Sequence, residues 1–227
     1  MKLILLVGFS KGLGRAIFEQ LLVGLEGGRR ELLAAGRNTN KLPSYEGVTY
    51  LEVDLLKSDC WDSILTYIPN NIESLDIFYN AGVIEPIGVV GTLNNSRLEN
   101  AIKVNYSSPM KLINKLVSTQ KKLAFLLNIY NITSGASTTP VEGWSLYCST
   151  KAAFRMFLDV AEKESKGTIA VKHIDPGVVD TDMQSTIRSK SSKEMKYVHK
   201  FIQLKESNSL QSPKEAATEV LVKSGHK

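Results

Sequence analysis

The chain has 227 residues, a formal net charge of +5 and 43% hydrophobic residues. That length suits one domain with enough chain to bury a substantial core. No window reaches the run of about 18 apolar residues that a membrane span requires, and the modest lysine excess lacks the dense basic stripe of a nucleic-acid binder.

The start, MKLILLVGF, puts a lysine before apolar residues as a signal peptide does. The run is too short, however, and it enters a glycine turn instead of a small-residue cleavage site, so a buried first strand is expected over residues 3–7. Further short apolar runs predict strands over residues 31–35, 49–53, 75–79, 123–129 and 168–174. Helical patterns alternate with them over residues 13–25, 58–67, 95–120, 145–165 and 212–223. Asp59 and Pro213-Lys-Glu215 suit helix starts, where acids and proline are favoured. Alternation of this kind is the mark of an α/β chain with a parallel sheet and helices on both faces. No repeat or linker divides it, so residues 1–227 read as a single domain. Cys60 and Cys148, the only cysteines, imply no disulfide framework and suit a reducing cytoplasm.

Two stretches break the alternation. Residues 38–47 are too few for an ordinary parallel crossover and predict a loop or a stunted helix. Residues 180–210 follow the carboxyl end of a strand, where open α/β sheets bind ligands. Long loops in compact domains are usually functional, which makes this stretch a candidate substrate lid. Its basic cluster, Arg188-Ser-Lys-Ser-Ser-Lys193-Glu-Met-Lys196, reads as a solvated loop.

Gly8-Phe-Ser10-Lys11-Gly12-Leu13-Gly14 lies between the first strand and the first helix. Glycines there allow a tight turn, close backbone approach to a pyrophosphate and close packing of helix on strand. The helix amino terminus would face the phosphates with its free N–H groups. A purely structural glycine turn is the alternative. The second strand ends in Ala35-Gly36-Arg37 with no acid to bond a ribose 2′-hydroxyl; an arginine there accommodates the 2′-phosphate of NADP, and Lys11 adds a second positive charge. Asp54, with Leu55 after it, ends the third strand as an adenine-edge partner or as a cap for the next helix.

Tyr147 and Lys151, in YCSTK, stand four positions apart and so share one helix face. An ammonium beside a phenol stabilises the phenolate, letting it exchange a proton below its usual pKa of about 10. A carbonyl reductase needs such an acid. Ser134 is a hydroxyl one loop away, with Thr133 as its competitor. Asn105, before Ser107-Ser-Pro109, is a site residue or the cap of a proline kink. Trp144 lines a substrate site or fills core, Met183 falls in the lid, Cys148 reads as a buried small hydrophobe and His173 as structural. No cysteine–histidine spacing suggests a metal site.

In order, Gly8-x3-Gly12-x-Gly14, Asp54, Asn80-Ala81-Gly82, Asn105, Ser134, Tyr147-x3-Lys151 and Pro176-Gly177 resemble the short-chain dehydrogenase/reductase family, over about residues 3–223. Gly143-Trp-Ser-Leu-Tyr-Cys148, Asp180-Thr-Asp-Met-Gln184 and Val83-Ile-Glu-Pro86 resemble its sepiapterin reductase and benzil reductase branch. The resemblance implies a Rossmann-type, doubly wound parallel sheet. It implies Tyr147 as proton donor, Lys151 on the nicotinamide ribose and lowering the phenol's pKa, and Ser134 as a donor to the carbonyl oxygen. It further implies Asn105 in a water relay, Asn80, Ala81 and Gly82 near the adenosine, and Pro176, Gly177, Val179 and Thr181 along the nicotinamide. The helices carrying Asn105 and Tyr147 usually build a homodimer or homotetramer in this family.

The chain departs from the family at Val7, where a threonine is usual, at the stunted crossover, and after Ser224-Gly225, where a last strand and a substrate-anchoring tail are normal. A missing last strand and an exposed sheet edge are therefore expected. These features lead to an NADPH-dependent carbonyl reductase acting on a small ketone, a vicinal diketone or a pterin side-chain carbonyl. The alternatives are an NADP-linked alcohol dehydrogenase and a nucleotide-binding sensor or interaction protein with little turnover.

Overall fold

A computed structural model describes residues 1–25 and 30–226. Six parallel strands, β1 (Lys2–Val7), β2 (Arg30–Gly36), β3 (Val48–Glu52), β4 (Ser74–Tyr79), β5 (Leu126–Ile132) and β6 (Ile169–Ile174), run in the order β3-β2-β1-β4-β5-β6. The reversal between β1 and β4 is a topological switch point, and a crevice opens there beyond the strand carboxyl ends. Helices cover both faces, as expected of a Rossmann-type fold.

Strand periodicity decides which face each residue serves. Leu3, Leu5 and Val7 of β1 pack with Leu112, Ile113 and Leu116 of α3 (Ser108–Leu123) and with Phe154 and Leu158 of α4 (Ser145–Glu164). Ile4 and Leu6 point the other way, into α1 (Gly12–Val23), through Ile17, Phe18 and Leu21, and α7 (Pro213–Ser224), through Ala216, Ala217 and Val220. Each fully buried Leu or Ile contributes about 1.5–3 kcal/mol. A third apolar cluster sits apart from the sheet and joins Ile84, Ile87, Trp144 and Tyr147 to Ile187 of α5 (Asp182–Arg188), Met195 and Val198 of α6 (Val198–Glu206).

The crossover after β2 is stunted, as its length predicts: one 3-10 turn, Thr39–Lys41. Aromatic rings fill that flank instead, with Phe18 against Phe9, Tyr45 and Tyr50.

Three elements differ from expectation. Residues 58–67 form turns and a short 3-10 helix, Ile64–Tyr67, instead of an α-helix. Trp61, Ile64, Ile68 and Ile72 are buried, but the Trp61 indole is fastened to the Ser108 carbonyl and hydroxyl at 3.0 and 2.9 Å, and this anchor overrides local propensity. The helix expected over residues 95–120 is α2 (Asn95–Ile102), a π-turn at Lys103–Ser107 and then α3. Finally, β5 starts three residues later than expected. Leu123 ends α3, Ala124 takes a left-handed conformation, and the Gln120 side chain donates to the Phe125 carbonyl. The strand instead extends through Asn128 and Asn131, whose amides meet Asp76 and His173.

The stretch 180–210 holds α5 and α6, and its basic cluster, from the last turn of α5 onward, is largely an exposed loop pinned at a few points. Met195 is buried, Lys190 bonds Glu85 at 3.3 Å and Lys196 lies 3.8 Å from Glu142. Among the described residues no strand follows α7. Gly225 ends that helix, and His226 turns back onto Asp76 at 3.0 Å and meets Phe78 and Tyr130 edge-on. β6 is thus an edge strand, with Ala170 and Lys172 exposed; lysine is a common guard on such edges. No helix among the described residues is long and apolar enough to cross a membrane.

Candidate active site

At the carboxyl end of β1 the chain turns at Gly8, which has φ of +85° and whose Cβ, if present, would stand 2.7 Å from the Ala81 backbone. A Cβ at Gly14 would collide with the Gly8 carbonyl and lie 2.5 Å from Asn80 Nδ2. Asn80 donates that amide to the Gly8 carbonyl at 2.8 Å, and Asn80 and Ala81 both donate backbone N–H groups to Val7. Asn80 and Ala81 therefore clamp the glycine turn, while Leu13 and Gly14 are buried and Ser10 and Lys11 are exposed. The start of α1 has no capping side chain and no acid in its first turn, which leaves its N–H groups and dipole suited to an anion.

Arg37 is exposed just after β2. The nearby acid, Glu52 at the end of β3, is turned onto the 38–39 backbone: it accepts from Asn38 and Thr39 N–H groups at 2.9 and 2.7 Å and from the Thr39 hydroxyl. Those bonds hold its carboxyl below the usual range. Asp54 spends one oxygen on the Leu56 N–H at 3.1 Å, so it does cap the turn after β3, and Leu55 packs beneath it against the core.

The other wall of the crevice comes from the segment after β6. Gly177, at φ of +74°, receives an Asp175 carboxylate on its N–H, and Val179 bridges to Gln211. Thr181, leading into α5, lies so near Gly12 that a Cβ there would be 3.0 Å from its methyl. Lys11 meets Asp182 at 3.6 Å across the same gap, with both side chains largely exposed. The segment leading into α5 and the glycine turn thus face each other directly.

Tyr147 and Lys151 lie on the inner face of α4, each 7% exposed. Burial pushes the phenol's pKa up to about 12; the adjacent Ser134 hydroxyl opposes this, while Asp175 and Cys148 add to it. Burial also brings the Lys151 ammonium down to about 8. Lys151 donates to the Ile132 carbonyl at 3.2 Å and stands 5.8 Å from the Tyr147 ring centre. The Tyr–Lys spacing leads one to expect a lowered phenol pKa; here burial dominates and raises it, with the Ser134 hydroxyl the group that opposes the rise. Ser134 caps a 3-10 turn, Gly135–Ser137, by accepting the Ala136 N–H. Its competitor Thr133 is buried.

Asn105, 3% exposed, sits in the π-turn. Its side chain takes the Val83 N–H and donates to the Val83 carbonyl, both at 2.8 Å, with Thr150 Oγ1 at 3.3 Å. Its oxygen also lies 3.4 Å, and Lys151 Nζ 3.5 Å, from where a Gly82 Cβ would be. One knot therefore ties the end of β4 to α4. Trp144 and Met183 belong to the apolar cluster beside Tyr147, and Cys148 is half-buried there. His173 is structural in the sense expected, bonded to Asp159 of α4 at 2.8 Å and to Asn131.

Sequence reading missed Ile84, Ile87, Ile187 and Met195, which wall the cluster, and Thr150 and Asp182. Thr150, inside YCSTK, was the one with a signal: it follows Tyr147 by three positions and so shares its helix face.

The sequence profile described as short chain dehydrogenase matches residues 2–192. A benzil reductase ((S)-benzoin forming) of Bacillus subtilis is 31% identical over 221 residues, covering 94% of this chain and 89% of that protein. The sepiapterin reductase of Xenopus tropicalis is 28% identical over 207 residues, covering 84% and 78%. The crystal structure of the KRED1-Pglu enzyme superposes with a TM-score of 0.83 at 28% identity, covering 99% of this chain and 94% of that one. The chain therefore belongs to the short-chain dehydrogenase family and is an oxidoreductase of it.

Proposed function

We propose that this oxidoreductase is an NADPH-dependent carbonyl reductase acting on a small ketone or vicinal diketone, with a pterin side-chain carbonyl within its range. The observation that carries the reading is the buried Tyr147 phenol, with Ser134 beside it and Lys151 behind it, at one end of a crevice whose other end is the glycine turn. A phenol with a pKa near 12 keeps its proton throughout the neutral range. It therefore carries the proton that a carbonyl oxygen would receive. The likeness to benzil and sepiapterin reductases supports the substrate class.

The residues present fit the cofactor. The uncapped start of α1 would hold the pyrophosphate, with Ser10, Gly12 and Leu13 lending backbone. Arg37 and Lys11 would hold the 2′-phosphate, helped by the engagement of Glu52 elsewhere. Asp54 and Leu55 would flank the adenine, and Asn80, Ala81 and Gly82 its ribose. Pro176, Gly177, Val179 and Thr181 would line the nicotinamide, and Lys151 would bond its ribose. When bound, the nicotinamide supplies the hydride. Tyr147 gives its proton to the carbonyl oxygen, and Ser134 orients that oxygen with a hydrogen bond as charge develops on it. Asn105 holds the water through which the proton is replaced. Residues 180–210 close over the substrate, with Met183 and Trp144 against it, and the whole chain works as one domain. Exposed Ile102, Met156 and Val160 on α2 and α4 support a homodimer or homotetramer. Two unpaired cysteines suit a cytoplasmic enzyme.

The test is NADPH oxidation against benzil, other vicinal diketones, sepiapterin and simple aldehydes, with NADH in parallel. Tyr147→Phe should lower turnover by about 10²–10⁴-fold and leave NADPH affinity within a few fold. Tight NADPH binding without turnover on any of these carbonyls would favour the sensor reading.

A further inference from the structure

We propose that the cavity beside Ile87 is a subsite for a carboxylate on the substrate, held by the Arg97 guanidinium, so that the enzyme selects carbonyl compounds carrying an anionic group. This rests on the carbonyl-reductase reading above and names a feature of the substrate which that reading leaves open.

The cavity measures about 430 Å³, within the range of small-molecule sites. Pro86, Ile87 and Leu93 form its apolar wall, and Thr92, Asn94, Arg97 and Glu194 supply its polar groups. It adjoins the catalytic residues through Ile87, which is buried in the same apolar cluster as Trp144 and Tyr147. Both sides of it are tied to the segment leading into α4. Gly88 donates its N–H to the Gly143 carbonyl at 2.9 Å, and a Cβ on Gly143 would stand 2.6 Å from the Glu194 carbonyl oxygen. The helical stretch gives the reach. Arg97 precedes Asn105 by eight residues, which is about 12 Å along a helix axis, and Asn105 meets Lys151 at Gly82. Arg97 therefore stands roughly two turns outward from the reacting end.

The open donors and engaged acceptors decide the charge of the ligand. The Asn94 oxygen accepts the Ser96 hydroxyl at 2.6 Å and the Arg97 N–H at 3.2 Å. Glu194 accepts the Ser191 N–H and hydroxyl on one oxygen, at 2.9 and 2.8 Å. Its other oxygen lies 3.9 Å from Lys190, an ammonium that it shares with Glu85. The donors, in contrast, are open. Among the described residues no acceptor meets the Arg97 guanidinium or the Asn94 amide nitrogen, and both residues are exposed. Arg97 is thus the charged group of the lining that lacks a partner among the described residues. A ligand that fits brings acceptors and negative charge, and a carboxylate matches the planar guanidinium fork with two bonds.

The experiment compares 4-carboxybenzil with its methyl ester, which keeps the dicarbonyl and nearly the same shape without the charge. In the wild type kcat/KM for the acid should exceed that for the ester about tenfold, the low end for bonds to a charged group, as suits an exposed arginine. Most of the difference should lie in KM, because the charge sits away from the reacting atoms, and added salt should shrink it. Arg97→Gln should abolish the preference, and Arg97→Lys, which keeps the charge but not the fork, should retain part of it. Exposed positions tolerate substitution with little effect on folding, and the ratio is taken within one preparation, so partial misfolding cancels. A preference for the acid that survives Arg97→Gln, an equal loss on both substrates, or a wild-type enzyme that does not prefer the acid overturns the proposal while leaving the reductase reading intact. Absence of turnover on every carbonyl overturns the reductase reading itself, and this inference with it.

Discussion

Lys151 Nζ stands 5.8 Å from the centre of the Tyr147 ring, and the hydrogen bond it makes is to the Ile132 carbonyl, 3.2 Å away. Among the described residues this buried ammonium has no anionic partner, and it lies next to a phenol that burial keeps protonated. A group held this way is strained for stability and prepared for a ligand that brings hydrogen-bond acceptors.

Lys151→Met should therefore stabilise the ligand-free protein while abolishing turnover. A fall from 10.5 to about 8 corresponds to about 3 kcal/mol, partly offset by the lost bond to Ile132. The sign comes from proton counting: between pH 8 and 10.5 the unfolded chain holds a proton that the folded chain has released, so stability rises with pH in that window. The penalty is fully present below pH 8 and fades toward 10.5. Urea denaturation of both proteins at pH 7 and pH 9.5 checks this; the advantage of the variant should shrink at the higher pH. An equal advantage at both would show that the ammonium is not the source.

Arg37→Ala should weaken NADPH far more than NADH. Glu52 is the acid near this end of the sheet, and its three bonds to residues 38 and 39 hold it in place. Loss of a charge-assisted bond to phosphate is worth about 1.5–3 kcal/mol, or about 10–100-fold in affinity. Fluorescence titration with the two cofactors measures the ratio, and equal weakening would remove Arg37 from the 2′-phosphate site.

The features legible in the sequence and those hidden in it divide along one line. Gly8 to Gly14, Asn80 to Gly82 and Tyr147 to Lys151 are short contiguous stretches whose residue types answer a local demand, such as a positive φ, a close backbone approach or a shared helix face. Each could be read without knowing what packs on it. The misplaced elements depend on distant partners. Residues 58–67 lose their helix to a bond between Trp61 and Ser108, and β5 runs on past residue 129 to include the polar Asn131, which His173 receives. The apolar cluster beside Tyr147 is hidden in the sequence for the same reason: Ile84, Ile187 and Met195 meet only in three dimensions.

Asn105→Ala tests the knot between β4 and α4. Its side chain satisfies both the N–H and the carbonyl of Val83 and reaches Thr150. Truncation leaves two part-buried backbone groups of Val83 without their side-chain partner, at about 1–3 kcal/mol each where water does not replace it. Stability should fall by about 2–4 kcal/mol, with NADPH affinity lowered only a few fold, since the loop carrying Gly82 is loosened but the glycine turn is untouched. Calorimetry and cofactor titration separate the two effects. A stability loss under about 0.5 kcal/mol, the range of ordinary surface substitutions, would show that Val83 finds other partners.

Gly14→Ala probes the opposite end of the crevice. The added methyl would collide with the Gly8 carbonyl and crowd Asn80 Nδ2 at 2.5 Å. Both contacts involve the hydrogen bond that clamps the turn, so the methyl cannot be accommodated by a rotamer change. Either α1 moves off the sheet or the Gly8–Asn80 bond breaks, and each displaces the N–H groups that would face the pyrophosphate. NADPH affinity should fall at least tenfold together with stability, by the roughly 1–3 kcal/mol typical of overpacking. The two losses should be coupled, so that saturating NADPH raises Tm less in the variant than in the wild type. A variant that loses stability but gains the full thermal shift from NADPH would separate helix packing from cofactor binding and leave Gly14 with a purely structural role.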